Sequence, residues 1–183
     1  MTEHTVKSFG EQLEALSALV AQMGGLAEAQ FASAMEAIVR RDSVAAERAV
    51  GGDARIDEIQ QEIEDKAIKL LALRQPMAVD LRETLAAVKT AAELERIGDL
   101  AKNIAKRALV LNREPPIRLT QSLGRMGKAA QNQLKQVLDA FTSRNAEEAE
   151  AVWNRDGETR PVANEATDES TEHGNHCPNP NES

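Results

Sequence analysis

Apolar residues in this chain recur every three or four positions over spans longer than a strand reaches. Leu13, Leu16, Val20, Met23, Ala27, Phe31, Ala34 and Ile38 form one stripe, and Ile56, Ile59, Ile63, Ala67 and Leu70 form another. Only a helix gathers such positions on one side. Composition agrees. The chain is 42% hydrophobic but only 2% aromatic, with no Tyr, and Ala, Leu, Glu, Gln, Arg and Lys fill most positions. These residues favour helix over sheet.

The joints are equally legible. The first helix is expected from about Thr5 to Arg41. Asp42-Ser43 then caps a second, running from about Val44 to Leu73, with Gly51-Gly52 as a kink or local break. Pro76 suits the first turn of a third helix that ends near Leu111. Pro115-Pro116 cannot continue a helix, so Asn112 to Pro116 is a stiff joint. A fourth helix, about Arg118 to Arg144, carries Leu119, Leu123, Met126, Leu134, Val137, Leu138 and Phe141. Three long helices with short connections predict an all-α, antiparallel three-helix bundle.

The chain also repeats itself at an offset of 103 residues. Met23-Gly24 matches Met126-Gly127, Gln30 matches Gln133, and MEAIVRRD (Met35–Asp42) matches LDAFTSRN (Leu138–Asn145). Ala46-Glu47 matches Ala149-Glu150, and Asp53 matches Asp156. A duplicated helical unit explains this run better than shared composition does. After Asp156 the match ends, since Arg160 stands where an acid matching Asp57 is expected. The stretch Gly157–Ser183 has the composition of disorder. The expected organisation is a first bundle over 1–112, a partial second over 113–156 and a tail over 157–183 that is not native to the fold. A reading-frame shift after Asp156 or a shortened paralogue would each produce that signature. In an incomplete second bundle the Leu123, Met126, Leu134 and Phe141 stripe is expected to be exposed unless it packs on the first bundle or on another chain, which predicts low stability or self-association.

The formal net charge of −8 argues against nucleic acid as the main partner. Much of the excess acid lies in the tail, where Glu158, Glu165, Asp168, Glu169, Glu172 and Glu182 face Arg160 alone. No signal-peptide pattern opens the chain, no apolar run reaches the roughly 20 residues of a membrane span, and Cys177 stands alone. A cytoplasmic protein with no membrane insertion is expected.

Two acidic pairs at i,i+4 stand out, Asp53 with Asp57 and Glu95 with Asp99. Such carboxylates stack on one helix face and repel each other unless a cation joins them. Divalent or iron metal ions would find hard oxygen ligands there. If the second and third helices are neighbours, the two pairs face across a seam, with Glu64 further along one flank. Asp99 falls in line with Leu81, Leu85, Val88 and Ala92, which predicts an acid on an apolar face in need of compensation. The structural alternative is a salt bridge with Arg96, Lys89 or another helix. His173, His176 and Cys177 have metal-like spacing but sit in flanks unable to form a stable scaffold. No nucleophile constellation and no phosphate-cradling loop is present, so no enzyme is expected.

The segment KAIKLLALRQPMAVDLRETLAAVKTAAELERIGDLAKNIAKRA, Lys66 to Ala108, resembles the first repeat of the PhoU family. LLALRQP and ELERIGD carry the resemblance, which extends over about Thr5 to Asp156. It implies tandem three-helix bundles and a non-enzymatic cytoplasmic regulator of bacterial phosphate uptake. Its implied role is negative regulation of the phosphate-starvation response, linking the ATPase subunit of the phosphate ABC transporter to a membrane sensor kinase; the homo-oligomer or homodimer is expected separately, from the incomplete second bundle. Some members hold metal through E/D-x-x-x-D motifs, which fall here on Asp53, Asp57, Glu95 and Asp99. A metal-storing or metal-sensing bundle and an inactive truncated fragment are the alternative functions.

Overall fold

Five helices follow one another in the order the periodicity predicts, in a computed structural model that describes residues 2–74, 78–116 and 120–155. They are α1 (Thr2–Val39), α2 (Ser43–Gly51), α3 (Asp53–Arg74), α4 (Ala78–Leu111) and α5 (Thr120–Ser143). A further helical stretch covers 146–155. No strand occurs among the described residues, so the all-α expectation holds. The chain divides into two compact units at Glu114/Pro115, two residues beyond the expected boundary. Pro76, the segment 157–183 and the His173/His176/Cys177 group lie outside the described residues.

The first unit is a three-helix bundle. Its helices are α1, α4 and the broken pair α2–α3, all packed against one another. The expected second helix is two helices because the chain breaks at Gly52, whose N–H still donates to Arg48 O at 3.0 Å. Gly24-Gly25, by contrast, pass within an unbroken α1. The core has two layers. In one, Leu13, Leu16, Val20 and Met23 of α1 and Ile56, Ile59 and Ile63 of α3 are buried, as are Ala87, Ala91 and Leu94 of α4. Full burial of each large aliphatic contributes about 2 kcal/mol. The other layer is nearly all alanine: Ala34, Ala37, Ala45, Ala46, Ala49, Ala101, Ala105 and Ala108 pack together. Side chains this small let helix axes approach to the short end of the usual ~8–10 Å range.

The alanine layer is closed at its end by Arg41. This residue has φ 56°, a left-handed conformation unusual for a residue with a side chain. It follows the last turn of α1, where a left-handed residue ends a helix. Its guanidinium donates to Asn112 O at 2.9 Å and to Glu114 O at 2.5 Å, tying the α1–α2 joint to the end of α4. Asp42 then caps α2, its Oδ1 accepting from Val44 N (2.8 Å) and Ala45 N (3.0 Å).

The second unit repeats this joint at the expected offset. Arg144 has φ 53°. Asn145 Oδ1 accepts from Glu147 N (3.1 Å) and Glu148 N (3.2 Å). One expectation is corrected here. Leu123, Met126, Leu134 and Phe141 are half-buried rather than exposed, and the large apolar residues left open in this unit are Val137 and Trp153.

Candidate functional site

The seam between α3 and α4 gathers all four acids singled out in the sequence. Asp53 opens α3, where the helix dipole favours an acid. It is the one buried acid among the described residues, with 6% of its surface exposed. Asp57 lies one turn on. From α4 come Glu95 and Asp99, and one turn further Lys102, which makes an ion pair with Asp53 Oδ2 and lies 3.6 Å from Asp99 Oδ1. The compensating cation is thus Lys102, not Arg96 or Lys89. Glu64 stays outside this set and accepts from Gln60 Nε2 at 3.3 Å.

The orientation of α4 corrects the sequence reading. The line Leu81, Leu85, Val88, Ala92, Asp99 was expected to face the core, yet only Val88 is half-buried; Leu81 and Leu85 are 39% and 44% exposed and the Asp99 side chain 52% exposed. The buried face instead runs through Thr84, Ala87, Ala91, Leu94, Gly98, Ala101, Ala105 and Ala108. Ranking residues by apolar size selects the leucine line. Close packing selects the smoother alanine line, because it removes more of the backbone from water. Asp99 is therefore a rim acid, and the buried acid needing compensation is Asp53.

Electrostatics at the seam follow from four carboxylates sharing one ammonium. Asp57 is shifted above its ordinary carboxylate range, first by desolvation and then by the charge of Asp53. Glu95 is also shifted upward, by desolvation and then by Asp99, Asp57 and Asp53. Lys102 is raised chiefly by its hydrogen bond to Asp53. The seam carries an excess of negative charge.

Two residues behind the seam were missed by sequence reasoning. A Cβ at Gly98 would lie 3.0 Å from Gln30 Oε1 and 3.0 Å from Ile56 Cδ1, so glycine in the ERIGD stretch lets α1 and α3 close on α4. Gln30 is buried, and its Nε2 donates to Ala49 O at 2.8 Å, while its Oε1 has no donor. The repeat match at Gln30 was the one sequence signal for it.

The four side chains are carboxylates, the donor type a hard cation takes, but the buried one among them is already paired with an ammonium. Among the described residues no group of three or more His, Cys, Asp or Glu side chains is placed to hold a metal ion.

A duplicated helical-bundle protein with an acidic seam is the class these features define. The family model that matches is the PhoU domain, over residues 20–108 and 123–176, and the chain belongs to the PhoU family. The second match reaches beyond Asp156, where the internal repeat ceases to be legible. A phosphate-specific transport system accessory protein PhoU homolog from Caulobacter vibrioides is 56% identical over 159 residues, covering 86% of this chain and 69% of that protein. One from Rhizobium meliloti is 40% identical over 156 residues, covering 85% and 66%. The chain thus spans about two thirds of the length of these relatives. The crystal structure of PhoU from Pseudomonas aeruginosa superposes with a TM-score of 0.85 at 32% identity, covering 88% of this chain and 78% of that one.

Proposed function

We propose that this chain regulates phosphate uptake and restrains phosphate-starvation signalling, as a cytoplasmic adaptor between the phosphate transporter's ATPase subunit and a sensor kinase. The observation that carries this reading is membership of the PhoU family, with a transport-system accessory protein 56% identical over most of the chain. Two features suit an adaptor. No helix among the described residues is long and apolar enough to cross a membrane. The outward leucine line of α4, continuing to Asp99 at the acidic seam, offers an apolar strip with a charged end. Such a strip is a surface for binding another helix. The protein acts by binding rather than by catalysis, and self-association is part of the proposal.

The test is retention of each partner. The ATPase subunit and the kinase's cytoplasmic part are expected to co-purify with the chain, also when the four seam acids are changed to Ala. Failure of both to bind an intact-length version sinks the adaptor reading. Failure with this chain alone, while the intact-length version binds, identifies an inactive fragment. A monodisperse monomer that binds no apolar dye counts against self-association.

A second reading is favoured by the excess of carboxylates at the seam. Here Asp53, Asp57, Glu95 and Asp99 hold a divalent or iron ion for structure, storage or sensing, the ion supplying the positive charge that joins α3 to α4. In that case the protein's main property is lost on replacing Glu95 and Asp99.

A further inference from the structure

Lys89 and Arg96 were candidates to neutralise Asp99, and Lys102 takes that place instead. Both are exposed, as is Arg82, and none of the three forms an ion pair among the described residues. The three cations follow one another at seven-residue intervals, so they form a single file about 21 Å long. The file runs beside the outward line of Leu81, Leu85, Val88 and Ala92. That line advances in steps of four, three and four, the spacing of the core positions in a seam between two helices. Leu81 and Val88 hold one core position of the seven-residue repeat, and Leu85 and Ala92 hold the other. Arg82, Lys89 and Arg96 then fall on a flank of the seam, where charge selects the partner. The opposite flank, through Thr84, Ala91 and Gly98, is buried in the bundle. The apolar part ends where Glu95 and Asp99 take up the same two core positions.

We infer that this face of α4 docks a partner helix whose apolar line is flanked by acidic residues at seven-residue intervals, set to meet Arg82, Lys89 and Arg96. The inference rests on the adaptor reading and names the chemistry of the partner. Charge complementarity chooses the occupant. The α4 of a second copy would bring cations against cations if it ran antiparallel, and against a buried flank if it ran parallel. An anionic membrane would attract the basic file but repel Glu95 and Asp99 at the end of the same line. A helix satisfies both ends, with acids beside its apolar residues and a neutral or basic residue opposite Glu95 and Asp99. Leu81 and Leu85 supply most of the affinity through the area they bury. The flanking pairs are individually weak and screened by salt, so they decide which helix binds and in which register.

The experiment measures, by fluorescence anisotropy, the binding of two synthetic helices to the full chain. Both are about three heptads long with Leu at the core positions. One carries Glu on its flanks and the other Lys. Wild type, Arg82→Gln/Lys89→Gln/Arg96→Gln and Leu81→Ser/Leu85→Ser are compared. All five changes fall on exposed sites, so the folds are expected to survive, as thermal midpoints check. The Glu helix is expected to bind wild type, and to bind the triple variant about tenfold more weakly. High salt is expected to weaken the wild type far more than the triple variant. Leu81→Ser/Leu85→Ser is expected to lose binding. No binding of the Glu helix by wild type overturns the inference, as does equal binding of the Glu and Lys helices, or a triple variant that binds like wild type. Binding to phosphatidylglycerol vesicles that only the triple variant loses, without binding of the Glu helix, makes the face a lipid site and overturns it. A dimer in sedimentation that Leu81→Ser/Leu85→Ser dissociates assigns the face to a second copy and also overturns it. The transporter's ATPase subunit and the kinase's cytoplasmic part separate the two readings. If wild type retains neither, the adaptor reading falls and the inference with it. If both variants retain a partner as wild type does, the adaptor reading stands and the inference falls. Retention that drops in both variants supports the inference.

Discussion

The joint between α1 and α2 and the joint after α5 are the same local structure in different surroundings. Both place an arginine in the left-handed region, Arg41 at φ 56° and Arg144 at φ 53°. Both then cap the next helix with an Asx side chain that accepts from the second and third residues on. Beyond the caps they part. Ala45, Ala46 and Ala49 are buried against α1 and α4, whereas the matching Glu148 and Ala149 are exposed, and only Val152, matching Ala49, is buried. Trp153, which matches the partly buried Val50, is 81% exposed. Turn geometry is written into a few adjacent residues. Burial is written by what the rest of the chain brings to the helix.

The largest effect that sharpens this contrast is overpacking of the alanine layer. Ala46→Leu is expected to lower stability by about 2–3 kcal/mol, because closely packed helices leave no space for the added atoms. Ala149→Leu, at the matching exposed site, is expected to stay within about 0.5 kcal/mol. Equal losses in chemical denaturation would break the comparison. Next comes Gly98→Val, expected to cost about 2 kcal/mol by pushing on Ile56 and Gln30. Gly25→Ala, where nothing lies within 4 Å of the added carbon, is expected to gain up to about 1 kcal/mol from helix propensity alone. The caps rank third. Asp42→Ala is expected to cost about 1 kcal/mol of global stability. Asn145→Ala should instead speed amide exchange over 147–149 and leave the first unit unchanged. A matching slowdown or speeding in both units would show the joints to be coupled.

The smallest effect concerns the seam at different pH. Asp57 and Glu95 have folded-state values raised above 3.8 and 4.5. The folded protein therefore takes up protons more readily than the unfolded chain. The cost of desolvating these charges, and after it their repulsion by neighbouring carboxylates, is absent when both acids are protonated, sets in as pH rises through those values, and is fully present at neutral pH. Glu95→Gln in metal-free buffer is expected to gain less than about 0.5 kcal/mol at pH 7, nothing below both values, and less in high salt. A gain that persists at low pH has another cause.

Helix order, the Asp42 cap, the break at Gly51-Gly52 and the repeated joint were legible because each depends on neighbours in sequence. The four seam acids were legible too, since i,i+4 spacing fixes a face and short connections make α3 and α4 adjacent. What sequence could not give was which face of α4 turns inward. Its leucine line and its alanine line are both apolar, and the choice depends on how closely α1 and α3 approach. Lys102 was missed for a related reason. It sits three residues after Asp99 on the same helix, but its main partner, Asp53, is 49 positions away. Gln30 and Gly98 carry no periodic signal and acquire meaning only when α1, α3 and α4 meet.

A layer built from methyl groups also restricts how such a chain can drift. Ala34, Ala37, Ala101, Ala105 and Ala108 are fully buried, so a larger residue is expected to overpack the layer, and only glycine and serine are near in size. Glycine costs about 1 kcal/mol per helical position, and serine brings a hydroxyl that must bond back to its own helix. Neutral exits are therefore few. Descendants of this sequence are expected to vary elsewhere on its helices long before the alanine layer changes, which makes that layer the slow clock of the fold.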